Sequence, residues 1–421
     1  MTTAAETEPI VTRLSCGAAL IVEPMASVRS AAVEILIPAG NAHDPADRLG
    51  RAAMYSELLL RGAGDLDSRQ QADAFDRVGA SRSCDAGRRF IRLGSSMLGE
   101  RFAEAAALIV DTVRRPAFRE DAVEAARLLT MQAIDSLLDD PQQRAVLAAR
   151  ARHFRPPFER SGYGEKPAIE AMTRDELVAG WGACARPGGV VIAVAGNIEP
   201  GAVHEVFESL TGDWSGEAPG FETGGEPPRG YAHEKDDSAQ VQIVLVHDAP
   251  REVDDNSVRE RLLTRVLSGG MSCRLFTEVR EKRGLCYAVQ AGYTAEKDFG
   301  SVTAYVGTTP ERAQQSLDVL HAELERIGTA AGAVDPEEFE RATMGMKSRL
   351  VFSGESTSAR ARAIAGDFVT IGRPRTLSER AAEIDAVTLD DLNRYAASRD
   401  LGRPTIQTLG PSELAPPTGA A

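Results

Sequence analysis

Six histidines (His43, His153, His204, His233, His247, His321) and five cysteines (Cys16, Cys84, Cys184, Cys273, Cys286) are the side chains best suited to hold a transition metal. Two ligands on one helix share a face only at i,i+3 or i,i+4 spacing, and no two of these histidines are so spaced. No cysteines form a CxxC pair and their number is odd, which fits free thiols in a reducing compartment. A phosphate-binding loop, a GxSxG elbow and a locally supported Cys–His pair are also missing. What remains is the stretch LSGGMSCRLFTEVREKRGLCYAV, residues 267–289. It sets Arg280 in the last turns of a helix and Tyr287 at the start of a strand, with Gly284 turning the chain between them. A guanidinium and a phenol are hydrogen-bond donors, and both side chains could face the same space. The residues alone also allow a plainer assignment. Arg280 could be one solvated charge among Glu278, Glu281, Lys282 and Arg283, and Tyr287 could pack at a strand end.

The elements that would position these residues occur twice. Residues 31–37 (AAVEILI) and 241–247 (VQIVLVH) read as strands, each followed by an apolar helix, at about 51–60 and 257–267. A second helix starts at Ser68 or Ser272 and ends at Gly79 or Gly284. Two strand candidates and two amphipathic helices follow in each half. Capped helices start at Thr173 and Thr388, with Glu176 and Asp391 three positions on, and each half closes on a strand, VVIAVAG or PTIQTLG. The Gly-, Pro- and Glu-rich stretch between the halves reads as a surface linker. The expected fold is therefore α+β, with two similar domains at 1–211 and 235–421, a linker at 212–234, and each domain a mostly antiparallel sheet covered by helices.

Bulk properties agree with this and narrow the function. A chain of 421 residues, 43% hydrophobic and 26% charged, is an ordinary multi-domain globular protein. A net charge of −14 without a basic, aromatic-studded stripe argues against nucleic acid. No apolar run is long enough to cross a bilayer, and the opening MTTAAETEPIVTRL lacks a basic region followed by an apolar core. No membrane association, no secretory leader and a cytoplasmic location are the expectations.

Two α+β halves joined by a Gly/Pro-rich linker, with residues 267–289 as the most specific part, resemble the pitrilysin/insulinase family of zinc peptidases. The resemblance implies a clamshell in which two chains, or two halves of a longer one, enclose a peptide. It also implies that Arg280 and Tyr287 complete an active site whose zinc lies on another lobe. Active members carry His-x-x-Glu-His on a first-lobe helix, with a third ligand, a glutamate, about 75 residues on. Here the matching stretch is LGRAAMYSELLLRGAG, residues 49–64. It puts Ala53 and Glu57 at the histidine positions and Ser56 at that of the catalytic glutamate, while Gln132 and Ala133 occupy the place of the third ligand. Alanine cannot ligate, and one carboxylate cannot hold zinc alone.

The expectation is thus a chain with no metal or cofactor of its own, inactive by itself. It would pair with a homologous HxxEH-bearing subunit that brings the zinc, and would present Arg280 and Tyr287 to a peptide substrate. The alternative is a structural or binding homologue with no catalytic contribution.

Overall fold

The computed structural model describes residues 8–417; the first seven residues of the opening segment lie outside the described residues. The chain forms two compact units, each assembled from three segments. The first comprises Met1–Ser136, Pro156–Gly224 and Phe352–Thr376, and the second Leu137–Arg155, Gly225–Val351 and Leu377–Ala421.

The first unit holds a six-stranded sheet ordered Ile10–Arg13, Ala19–Pro24, Val191–Gly196, Ser30–Ile37, Ile91–Leu98, Ser83–Ala86. Only the Ala19–Pro24 and Val191–Gly196 pair is parallel. Ser30–Ile37 is buried along almost its whole length, because helices cover both faces of the sheet. Val33, Ile35 and Ile37 enter the larger core with Ile91, Leu93 and Phe102. Leu36 points to the other face and packs with Ile364 and Ala365 of the helix Thr357–Ile371. That helix comes from late in the chain, and Arg360 pins it by donating from Nε (2.8 Å) and Nη2 (2.6 Å) to the two carboxylate oxygens of the buried Glu23. Ser356 caps its start by accepting the Ala359 N–H, and Gly372 ends it at φ 83°.

The second unit repeats this plan in a five-stranded sheet ordered Cys286–Ala295, Gly300–Thr308, Val241–Ala249, Thr405–Gly410, Gly230–Lys235. Again one pair is parallel, Thr405–Gly410 with Gly230–Lys235. Strand for strand, this order matches the first sheet without its edge strand Ile10–Arg13. The end of the expected linker, from Gly230, is therefore a sheet strand, the counterpart of Ala19–Pro24. Its sequence, GYAHEK, has no apolar run to announce it. Val241, Ile243 and Leu245 face the main core, while Val244 and Val246 face Ala145 and Ala149 of the helix Pro141–His153. This helix comes from early in the chain. Arg144 ties it to Glu234 and Asp236, and His153 Nδ1 lies 3.1 Å from Thr405 Oγ1. Each sheet is thus closed by one helix drawn from the other half of the sequence. Both Thr173 and Thr388 form complete capping boxes with Glu176 and Asp391.

Candidate functional site

The helix Arg51–Leu58 starts at Gly50, whose φ of 105° only glycine adopts readily. Its first orphan donors are met by Asp44, whose Oδ2 and Oδ1 accept the N–H groups of Gly50 and Ala52, both at 3.0 Å. Burial dominates those bonds and pushes the Asp44 carboxyl up to about 7. Ala52, Met54, Tyr55 and Leu58 face the core, leaving Ala53, Ser56 and Glu57 half-buried on the other face. The sequence placed these three together by their i,i+3,i+4 spacing, and the structure does so. Their chemistry does not fit a metal. The Ser56 hydroxyl donates back to the Ala53 carbonyl at 2.8 Å, and Glu57 pairs with Arg61 at 3.3 Å. Gln132 and Ala133 are exposed on the helix Glu120–Ser136, which packs against Arg51–Leu58. Neither supplies a carboxylate or imidazole. Among the described residues, no group of three or more His, Cys, Asp or Glu is arranged to hold a metal ion.

Arg280 and Tyr287 sit on irregular backbone. Phe276–Glu281 winds as a π-helix, and its end is closed by Gly284 at φ 60°. The N–H of Gly284 reaches the Arg280 carbonyl, and that of Leu285 reaches Val279, both at 3.0 Å. Leu285 and Val279 are buried together in the core, so the cap is locked by an apolar contact. Arg280 is exposed, with its guanidinium 4.8 Å from the centre of the Phe276 ring. The neighbouring Glu278 is engaged by Lys282 (2.7 Å) and Arg283 (2.6 Å), and Arg280 itself makes no ion pair among the described residues.

Tyr287 is the extra residue of a β-bulge. Cys286 pairs with Thr308 and Ala288 with Gly307, so Tyr287 has no partner in the register. A bulge re-aims a side chain out of the pleat, and Tyr287 is 63% exposed. Burial pushes the neighbouring Cys286 thiol up to about 11, and the Arg280 charge pulls it back. No hydrogen bond joins Arg280 to Tyr287 among the described residues. Sequence reasoning missed Phe276, although its i,i+4 spacing to Arg280 is a helical-neighbour signal.

The comparisons with known proteins agree with this anatomy. The family model described as "Insulinase (Peptidase family M16)" matches residues 20–160, and "Peptidase M16 inactive domain" matches residues 171–346. An uncharacterized zinc protease of Bacillus subtilis is 26% identical over 92% of this chain and 95% of its own length. Among solved structures, an M16 inactive domain from Pseudomonas fluorescens superposes with a TM-score of 0.85 at 20% identity, covering 98% of this chain and all of that one. A protease from Helicobacter pylori gives a TM-score of 0.87 at 17% identity, covering 96% and 100%. These two likenesses speak for the fold. The chain is a two-unit α+β peptidase homologue, and it belongs to the pitrilysin/insulinase family.

Proposed function

We propose that this protein is the zinc-free subunit of a heterodimeric metallopeptidase. A homologous HxxEH-bearing partner brings the zinc and the general base, and this chain brings Arg280 and Tyr287. The observation that carries the reading is a contrast within one chain. The helix at the metal-binding place holds Ala53, Ser56 and Glu57, whose polar groups are spent on Ala53 and Arg61. Arg280 and Tyr287, by contrast, are exposed on a π-turn and a bulge, two irregularities that cost regular hydrogen bonds and recur at functional sites.

Amide hydrolysis builds negative charge on the carbonyl oxygen, and fixed donors aimed at that oxygen lower the barrier. A phenol and a guanidinium beside a bound peptide would do this without moving a proton of their own. The family membership supports peptide as the ligand and a second family chain as the partner. A cytoplasmic location belongs to the same proposal; among the described residues no helix is long and apolar enough to cross a membrane.

The test is reconstitution. This chain alone should not cleave peptides, and mixing it with its HxxEH partner should raise cleavage well above the partner's own rate. A partner equally fast alone would sink the heterodimer reading and leave the scaffold alternative.

A further inference from the structure

The second unit contains a small cleft that the proposed peptidase role does not use. It has a volume of about 150 Å³ and lies between the end of the helix Ser257–Ser268 with its Gly269–Gly270 turn, and the helix Pro336–Gly354. Arg265, Ser272, Cys273, Glu338 and Arg341 contribute its polar wall. Two of the three charged residues there have ion-pair partners. Glu338 receives Arg274 through Nε at 2.7 Å and Nη2 at 2.5 Å, and Arg341 faces Glu337 at 3.4 Å.

Arg265 is different. It makes no ion pair or hydrogen bond among the described residues, and its buried Nε–H has no acceptor. A buried N–H donor without an acceptor costs free energy. The guanidinium lies against Gly345, where a Cβ would come within 2.9 Å of Nη2, so the glycine leaves room for it to face the cleft. Burial and the like charge of Arg349 both lower the Arg265 pKa, and the nearby Cys273 thiol opposes them.

We propose that this cleft is a binding site for a single carboxylate group, held by the Arg265 guanidinium. The planar fork of an arginine matches a carboxylate through two parallel N–H bonds. Arg265 is the one cation of the lining without an acidic partner among the described residues, and its single charge and planar fork suit one carboxylate. The volume is about that of five water molecules, which suits the end of a side chain or of a peptide and not a nucleotide. Were the chain to handle peptides, the site would read an acidic residue or a C-terminus. That extension rests on the proposed function; the site itself does not.

Cys273 lines the same cleft and reports on it directly. Iodoacetate and iodoacetamide alkylate a thiolate by the same displacement: the sulfur–carbon bond forms as iodide leaves, and only iodoacetate carries a carboxylate. With the full chain, peptide mapping by mass spectrometry would give the iodoacetate-to-iodoacetamide rate ratio at Cys273 and at the partly exposed Cys16. The ratio should be about tenfold higher at Cys273, should fall to the Cys16 value in Arg265→Met, and should fall partway in Arg265→Lys, which keeps the charge but not the fork. In the unaltered chain, acetate but not acetamide should slow iodoacetamide at Cys273, a readout independent of any variant. Equal ratios at the two cysteines, or no protection by acetate, overturn the site. Neither result bears on whether the chain pairs with a peptidase.

Discussion

Each unit contains a helix that ends at a glycine and runs into an edge strand of its sheet. In the first unit, Ser68–Arg77 ends at Gly79 with φ 65°; the Gly79 N–H reaches Asp76 and the Ala80 N–H reaches Phe75. This is a regular Schellman cap. In the second unit both hydrogen-bonded loops are one residue wider, from Gly284 to Arg280 and from Leu285 to Val279. Ser272–Gly284 is one residue longer than Ser68–Gly79, and the π-turn is where that residue goes. The strand that follows then carries the bulge at Tyr287, whereas Ser83–Ala86 pairs without interruption. Two copies of one plan have diverged in opposite senses. The first has a regular cap, and its helix Arg51–Leu58 carries Ala53, Ser56 and Glu57. The second keeps irregular backbone, and there Arg280 and Tyr287 stand exposed.

That contrast can be broken experimentally. The largest effect is expected at the donors: in the reconstituted mixture, Arg280→Ala should lower kcat about 100- to 1,000-fold and Tyr287→Phe somewhat less, with unchanged melting temperature. Wild-type rates in both variants would reduce these residues to surface positions. Deleting Glu281 would make the second cap as short as the first. About a 100-fold loss of activity is expected, with the circular dichroism spectrum preserved, because only the aim of Arg280 changes.

The two exchanged helices offer a comparison of stability. Arg360→Ala strands the buried Glu23 carboxylate and should cost about 3–5 kcal/mol in denaturant unfolding. Arg144, at its counterpart helix, is less deeply buried and pairs with half-exposed carboxylates, so Arg144→Ala should cost only about 1 kcal/mol. Equal losses would show that the two helices are not held as described.

A pH effect follows from His247. Burial first, and the Arg399 charge second, lower its pKa from 6.5 to about 3. The unfolded chain therefore takes up this proton before the folded one. Its contribution is complete above pH about 6.5 and is lost as pH falls toward 3. His247→Gln should flatten stability against pH in that window, and an unaltered slope would remove His247 as the cause. The smallest effects belong to the first unit's helix. Ser56→Ala and Glu57→Gln should leave the mixture's rate within about twofold, which a hidden catalytic role there could not allow.

Much of this was legible in the sequence. The repeat follows from hydrophobic patterning, and the capping boxes at Thr173 and Thr388 and the glycine ends at Gly79 and Gly284 are local signals that the fold respects. The degenerate metal positions follow from the resemblance of residues 49–64 to the family's zinc motif, not from the residues alone. The exchange of Pro141–His153 and Thr357–Ile371 was not legible, because a helix's pattern says that it buries a face but not against which sheet. Gly230–Lys235 escaped because it is a polar edge strand with half-buried side chains. The π-turn left a trace, one residue of extra length, which shows only when the halves are laid side by side. The Arg265 cleft left none, since an arginine without an acceptor looks like any surface arginine until its neighbours are in place.

The central claim is a division of labour between a chain that holds zinc and one that does not. It is tested most directly by purifying the native assembly, separating its chains without denaturing the metal site, and measuring zinc in each. The account predicts one equivalent of zinc with an HxxEH-bearing partner and none with this chain. Zinc stoichiometric with this chain would contradict it.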